Sequence, residues 1–159
     1  KRNHRNLLHL AGPQEFPASI ARERGFADGA RDQGVVARTI ACRMNWNAGY
    51  AVAGKVHDLL RSGRATGVFA ANDWMAIGLM SRLTELGISI PDDVSIIGCG
   101  DIPLAAEVAP GLSTFREDFP LLIREIYDHI NRMCSSDGYV PKKVLLPAKY
   151  INRGSVAAI

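Results

Sequence analysis

The chain has 159 residues, 47% of them hydrophobic, and carries 19 basic against 16 acidic side chains for a net charge of +3. This length and apolar content fit one globular domain with a substantial core. The basic residues are spread along the sequence, so no segment concentrates the positive charge that nucleic-acid binding requires. The longest apolar stretches are too short to cross a bilayer, which argues against a membrane protein.

The start of the chain and its cysteines bear on its origin. No charged-then-apolar leader opens the sequence, and the first predicted strand follows Lys1 within a few residues, so we expect a piece of a longer protein. Cys42, Cys99 and Cys134 are odd in number and lack CxxC spacing, which argues against a disulfide framework or a zinc site. We therefore predict a cytoplasmic protein without cofactor or metal.

Four short apolar runs predict the strands of a parallel sheet, at residues 6–11, 35–41, 67–71 and 94–99. They are nearly continuous rather than alternating, which is typical of strands covered on both faces. Between them, residues 19–33, 48–60 and 73–86 carry apolar side chains at helical spacing. This alternation predicts an α/β fold with a doubly wound parallel sheet in three αβα layers.

Turn and capping residues separate these segments. The residues predicted to end the helices in a left-handed conformation are Gly34, Gly63 and Gly87. At the other ends, Asn47 precedes the second helix, and Asn72 or Asp73 precedes the third, each at a position that favours an N-cap.

The pattern changes after Gly100. Residues 101–111 predict a short helix or loop, and residues 112–116 an extended segment. Asp118 then caps a longer helix with Pro120 in its first turn. One face of this helix is apolar, with Leu122, Ile123, Ile126, Tyr127, Ile130 and Met133. Residues 135–138 break it, and a last strand at 144–151 contains Pro147, which favours an edge position.

Polar and aromatic side chains follow three of the predicted strands, at the sheet edge where ligands bind in open parallel sheets. They are Met44, Asn45 and Trp46, then Asn72 and Asp73, then Gly100 and Asp101. A short amide or carboxylate can bond ligand hydroxyls, and an indole offers an apolar face for stacking. Equally, Asn72 or Asp73 can simply cap a helix and Trp46 can pack under a loop, so both interpretations stay open here.

A catalytic site is not indicated. The run Gly98-Cys99-Gly100 follows a strand, but Pro103 stands where a dinucleotide-binding turn needs its third glycine. The four histidines lack metal-binding spacing, and the sequence contains no GxSxG elbow or P-loop. The adjacent Asp92 and Asp93 lie at a turn, where carboxylates usually cap or face water. We predict that the protein is not an enzyme.

Five segments carry a resemblance that spans nearly the whole chain, at residues 4–13, 22–26, 69–73, 86–95 and 110–118. They are similar to segments of the lactose and galactose repressor (LacI/GalR) family of bacterial transcriptional regulators. The resemblance implies the carboxyl-terminal part of an effector-binding domain of the periplasmic-binding-protein-like type I. The helix-turn-helix head that binds DNA in this family lies outside the sequence.

The resemblance also implies a division of the chain. Residues 1–114 and 140–153 would form one α/β lobe, and residues 115–139 would form the crossover and a helix of a second, mostly absent lobe. The apolar face of that helix would then be uncovered, so we expect the helix to repack or to join a partner chain.

A small polar metabolite such as a sugar is the implied effector. A homodimer would couple effector binding allosterically to operator DNA through the absent head. A periplasmic sugar-binding receptor of the same fold stays open as an alternative.

Ligand positions can be carried over residue by residue. Asn72 matches the family's contact asparagine, Trp46 matches an aromatic residue that stacks on ligand, and Glu117 falls at a polar contact of the crossover. The predicted ligand-binding residues are Asn72, Trp46, Asp73, Asp101, Glu117 and Arg22.

Two positions depart from the family pattern. Ile20 stands where the family's usual pocket arginine is expected, although Arg22 lies nearby, and Gly100 replaces the first aspartate of a Gly-aromatic-Asp-Asp motif. A guanidinium and a carboxylate are the groups that usually orient sugar hydroxyls. The sequence therefore predicts an effector-binding fold more firmly than a sugar effector.

Overall fold

The computed structural model describes residues 4–135, 138–140 and 142–157. Its strands are β1 (Asn6–Ala11), β2 (Val36–Ala41), β3 (Gly67–Ala70), β4 (Ser95–Cys99), β5 (Ser113–Glu117) and β6 (Ala148–Ile151). Its helices are α1 (Pro17–Asp32), α2 (Trp46–Arg61), α3 (Asp73–Glu85), α4 (Leu104–Glu107) and α5 (Phe119–Ser135).

The six strands form one sheet in the order β2-β1-β3-β4-β5-β6. Neighbouring strands from β2 to β5 pair in parallel, and β6 runs antiparallel to β5 at the edge. The doubly wound parallel sheet is confirmed, with one antiparallel edge strand. The last strand is shorter than predicted because it begins at Ala148, so Pro147 lies just before it.

The main core lies between the sheet and the α2–α3 helix pair. Its largest fully buried side chains include Leu8, Leu10, Val56, Met75, Leu79, Leu83 and Ile96. A Cβ added at Gly49 would lie 2.1 Å from the Met75 carbonyl oxygen, and one added at Gly78 would lie 2.1 Å from that of Trp46. The two helices therefore pack in backbone contact, and each glycine is there because no side chain fits.

Helix α1 covers the opposite face of the sheet. Successive residues of a strand point to opposite faces. Leu8 and Leu10 of β1 belong to the core beneath α2 and α3, whereas His9 packs against Phe26 of α1 with ring centroids 5.2 Å apart. The structure thus has the three layers that the alternation predicts.

The helix boundaries confirm the predicted helix-terminating glycines and correct one predicted N-cap. Gly34, Gly63 and Gly87 have φ values of 62°, 67° and 78°, as helix-terminating residues require. The prediction that Asn47 caps α2 is wrong: Asn45 is the N-cap, and its Oδ1 accepts from the Ala48 amide at 2.8 Å. Asn45 has the extended backbone that a cap needs, and Asn47 is already inside the first turn.

Helix α5 packs no residue into the core. Asp118 caps it as predicted, its Oδ1 accepting from the Leu121 amide at 3.0 Å. Apolar residues that are at least 49% exposed line the helix: Phe119, Ile123, Ile126, Tyr127, Ile130 and Met133. Residues 136 and 137 of the predicted break lie outside the described residues. None of the described helices is both long and apolar enough to span a membrane.

Candidate functional site

The carboxyl edge of the sheet brings together the loops that follow β1, β2, β3 and β4. Asn72 lies at this edge, where it caps α3. Its side-chain oxygen accepts from the Met75 amide at 2.9 Å, and its amide nitrogen donates to the Met44 carbonyl at 3.1 Å. Asn72 thus fastens the loop after β2 to the start of α3, with both side-chain polar atoms bonded to backbone.

Asp73 is the first residue of α3 and is 1% exposed. Its Oδ1 accepts from the Thr114 hydroxyl at 2.6 Å, and its Oδ2 accepts from the Ile102 amide at 2.9 Å. A Cβ added at Gly98 would lie 2.2 Å from Oδ1, so that glycine makes room for the carboxylate. Asp73 therefore joins α3, the loop after β4 and strand β5 from inside the protein.

Asp101 lies in the loop after β4, and its side chain is 4% exposed. It accepts from Arg116 Nε on β5 and, at 2.6 Å, from Arg153 Nη2 just after β6. Burial alone would raise its pKa, but the hydrogen bonds from Arg153 and Arg116 hold the pKa of this carboxyl below its ordinary value. The carboxylate is thus fully engaged by two arginines.

Arg22 and Glu117 are the predicted site residues that meet each other. Arg22 Nη2 of α1 donates to Glu117 Oε1 of β5 at 3.3 Å. Both side chains line a cavity of about 490 Å³ at the carboxyl edge, together with Phe69, Cys99 and Phe115. Burial raises the pKa of the Cys99 thiol, although the neighbouring Arg22 lowers it in part, so the cysteine is a neutral wall of the cavity.

Ile20 and Arg22 have different surroundings on α1. Ile20 is 47% exposed, whereas Arg22 lines the cavity and reaches β5. The structure therefore does place a guanidinium at this edge, although its charge is paired with Glu117. Gly100 carries no side chain and has a φ of 131°, a conformation that an aspartate rarely adopts.

Trp46 lies apart from that cavity. It begins α2 and stacks on Tyr50 with ring centroids 4.9 Å apart, and it is 36% exposed. It lines a separate cavity of about 330 Å³ with Ile77 of α3 and Val108 after α4. Asn72, Asp73 and Asp101 are thus each bonded to other parts of the protein, Arg22 and Glu117 form a cavity wall, and Trp46 faces another surface.

An aromatic row on the α1 side of the sheet was not singled out from the sequence. His9 stacks on Phe69 with ring centroids 4.9 Å apart, Phe26 packs against both rings, and Phe69 meets Phe115 edge to face at 6.4 Å. Phe26, Phe69 and Phe115 line a cavity of about 470 Å³ between α1 and the sheet. His9 and Phe69 fall in predicted strands, Phe26 in a predicted helix and Phe115 in a predicted extended segment, so only the alternation along the strands could have indicated this face.

The arginine partners of Asp101 were also missed. Arg116 and Arg153 lie 15 and 52 residues away along the chain, and although Arg116 precedes the predicted contact Glu117, no local pattern indicates that either arginine pairs with Asp101. Among the described residues, no group of three or more His, Cys, Asp or Glu side chains could hold a metal ion. The cavity at the carboxyl edge offers hydrogen bonding, apolar contact and the Arg22–Glu117 ion pair.

Comparison with known proteins gives the family. Residues 1–156 match the model of the periplasmic binding protein-like domain. The chain is 30% identical over 156 residues to the HTH-type transcriptional regulator AscG of Escherichia coli, covering 98% of this chain and 46% of that protein.

Two solved structures extend the comparison. One is a sugar-binding LacI-family regulator from Escherichia coli complexed with phosphate, with 30% identity, a TM-score of 0.83 and coverage of 99% of this chain and 56% of that one. The other is the lac repressor dimer bound to operator and the anti-inducer ONPF, with 25% identity, a TM-score of 0.85 and coverage of 98% and 54%.

The chain thus spans about half the length of the relatives it matches. The fold, the matched residues and the named relatives agree with the resemblance found in the sequence. The chain belongs to the periplasmic binding protein-like domain family, in the form found in LacI-type transcriptional regulators.

Proposed function

We propose that this chain is the effector-binding and dimerisation region of a LacI-type bacterial transcriptional regulator that works in the cytoplasm and is not an enzyme. The match of the family model to residues 1–156 carries this proposal, because it includes every strand and helix of the described fold. The relatives named are regulators, so the periplasmic receptor alternative is not carried forward.

The effector is a small polar metabolite that binds at the carboxyl edge of the sheet. The solved relatives hold phosphate in one case and the anti-inducer ONPF in another, which supports a small-molecule site in this fold. From this chain we assign Asn72, Arg22 and Glu117 as contacts. Trp46 lines a separate cavity with Ile77 and Val108, so we propose it as a stacking surface only for a ligand that extends there. Asp73 and Asp101 are bonded inside the protein and shape the loops that carry the contacts.

The remaining contacts come from a second lobe. We propose that residues 1–114 and 140–153 form one lobe and that residues 115–139 cross to the other. The exposed apolar face of α5 supports this division, because six large apolar side chains on one helix are seldom left in water. Effector binding between the lobes would favour the closed state and change the spacing of DNA-binding heads in a homodimer. The lac repressor dimer on operator supports the dimer and the operator as partners.

A thermal-shift screen of the full-length protein against sugars, nucleobases and phosphorylated metabolites tests the effector proposal. A ligand at 100 times its Kd stabilises the folded state by about 2.7 kcal/mol, which such a screen detects. For a hit, Asn72→Ala should weaken binding at least tenfold. Asn45→Ala is the matched control, because Asn45 caps α2 as Asn72 caps α3. Equal affinity in both variants would remove Asn72 from the site.

The lobe assignment has a separate test. Ile123 is 64% exposed on α5, so in the 159-residue chain Ile123→Asn should leave the free energy of unfolding within about 0.5 kcal/mol of wild type. In the full-length protein the same change should cost about 2 kcal/mol, because the side chain is then buried against the second lobe. The same small effect in both proteins would contradict the assignment of α5 to that lobe.

A further inference from the structure

One carboxylate joins three segments that are distant in the sequence. Asp101 follows β4, Arg116 is on β5, and Arg153 lies two residues after the end of β6. Asp101 accepts from both arginines; its own side chain is 4% exposed, that of Arg153 is 18% exposed and that of Arg116 is 52% exposed. We call these three residues the Asp101 clamp. The bond between Asp101 and Arg153 is shielded from water, and a charge-assisted hydrogen bond in such surroundings is stronger than a surface ion pair.

The backbone at the clamp is held in an unusual conformation. Asp101 has a φ of 52°, the one positive φ among the described residues other than glycine. Such a conformation persists only where the surroundings enforce it. Here Gly100 donates its amide to the Phe115 carbonyl at 2.8 Å, and the Ile102 amide donates to Asp73. The residues on both sides of Asp101 are therefore fixed as well.

The Asp101 clamp holds β5, by which the chain passes to α5, and β6, by which it returns to the sheet. Strand β5 leads directly to α5, and β6 returns from it and pairs antiparallel with β5, with Arg116 opposite Lys149. Arg153 also reaches the start of β5, since its Nη1 donates to the Leu112 carbonyl at 2.8 Å. A single buried carboxylate thus fixes both the outgoing and the returning segment.

The clamp is continuous with the candidate site. Asp73, next to Asn72, bonds the Ile102 amide of the clamp loop and the Thr114 hydroxyl of β5. The start of α3 is therefore bonded directly to the same loop and the same strand that Asp101 holds. Loop 100–102 lies between the candidate site and the strands that lead to α5.

We propose that Asp101 is a positioning residue that sets the geometry at which β5 and β6 leave this lobe, and through it the relation of this lobe to the next. This inference rests on the proposed effector function for its regulatory meaning. The clamp itself does not contact the ligand. Its role is to keep β5, β6 and the loop after β4 as one rigid unit, so that a change at the effector site moves both crossover strands together.

Hydrogen exchange of the full-length protein tests the clamp without any ligand. Asp101→Asn is the principal variant, because asparagine keeps the shape and tolerates a positive φ while losing the charge. We expect amide exchange in β5 and β6 to accelerate at least about tenfold, with that in β1 and β3 unchanged. Asp58→Asn, an exposed aspartate on α2, is the matched control and should change none of these rates. A uniform acceleration, or none, would overturn the clamp.

Two further variants separate the carboxylate from the backbone. Asp101→Gly relieves the positive φ but removes the carboxylate, so it should accelerate exchange as Asp101→Asn does. Arg153→Lys keeps the charge but cannot bond Asp101 and the Leu112 carbonyl together, and should give a smaller acceleration. Wild-type exchange in Asp101→Gly would show that the backbone, and not the carboxylate, holds the strands.

Small-angle X-ray scattering of the same proteins tests the effect on the second lobe. Asp101→Asn should change the distance distribution of the ligand-free protein, and Asp58→Asn should not. Accelerated exchange with an unchanged distribution would overturn the positioning role and leave a purely local contact. Failure of the thermal-shift screen would instead count against the effector function, since neither measurement here requires an effector.

Discussion

Asp73→Ala is expected to be among the most damaging single substitutions in this lobe. The side chain is 1% exposed and accepts two hydrogen bonds, from the Thr114 hydroxyl at 2.6 Å and the Ile102 amide at 2.9 Å. Alanine removes both acceptors and leaves a donor of the fully buried Thr114 without a partner. It also removes a carboxylate from the first turn of α3, where the helix dipole favours negative charge.

The magnitude follows from these losses. A buried donor left without a partner costs about 1–3 kcal/mol, and two donors are affected to different degrees because Ile102 is only partly buried. The helix-dipole contribution is about 0.3–1 kcal/mol. We therefore expect a loss of about 3–5 kcal/mol in the free energy of unfolding, a large part of the stability of a typical domain.

Urea unfolding of the full-length protein, followed by circular dichroism, measures this loss. Asp58→Ala, at an exposed position, should change the free energy of unfolding by less than about 0.5 kcal/mol. In a double-mutant cycle, Thr114→Val should recover at least about 1 kcal/mol in the Asp73→Ala background relative to its effect in wild type, because valine needs no acceptor. A loss below about 1 kcal/mol, or strictly additive effects, would refute the reasoning.

Three further outcomes are expected. Gly78→Ala should destabilise the protein by at least about 2 kcal/mol, because the added Cβ would meet the Trp46 carbonyl at 2.1 Å. Gly54→Ala, on the open face of α2, should instead stabilise it by about 0.5–1 kcal/mol. Equal free energies of unfolding in urea for the two variants would contradict the backbone contact between α2 and α3. Burial lowers the pKa of His9 below 6.5, so the folded state resists protonation and the free energy of unfolding decreases as the pH falls. His9→Phe should flatten the dependence of the free energy of unfolding on pH between about pH 7 and pH 5. An unchanged slope would exclude His9 as the cause. Burial raises the pKa of Asp101, but the hydrogen bonds from Arg153 and Arg116 outweigh it and lower that pKa below 3.8. The ionised Asp101 carboxylate therefore stabilises the fold fully above the ordinary carboxyl range, and this stabilisation is lost as the pH falls below it. The difference in unfolding free energy between wild type and Asp101→Asn should shrink below about pH 4, and a constant difference would contradict this.

The sequence allowed the fold to be predicted because the signals of this fold are local. The apolar runs at 6–11, 67–71 and 94–99 lie within one or two residues of β1, β3 and β4, and the glycines after α1, α2 and α3 have the positive φ expected of them. Strand and helix periodicity, caps and terminating glycines act within one or two turns of chain. The error at Asn47 is of the same scale, since two asparagines two residues apart both suit a cap and only the path of the loop after β2 selects Asn45.

The candidate site was predicted only in part. That Asn72 caps α3 follows from its position before an apolar helical pattern, and the structure has this cap. Its second bond, to the Met44 carbonyl 28 residues away, depends on how β2 and β3 are placed on either side of β1. Likewise, the four-residue spacing of Trp46 and Tyr50 suits a contact on one helix, but nothing in the sequence indicates that Trp46 lines the cavity with Val108 rather than the cavity that Arg22 lines.

By itself, the sequence determined the element order, the layered α/β architecture and the family, because each depends on patterns that repeat along the chain. Only the tertiary structure decided what the carboxylates do. Asp73 and Asp101 appear equivalent in the sequence, each following a strand at the binding edge, yet one bonds α3 to β5 and the other bonds β5 to the segment after β6. Their partners lie 15 to 52 residues away, and a buried carboxylate is stabilised by whichever donors the folded backbone brings within reach.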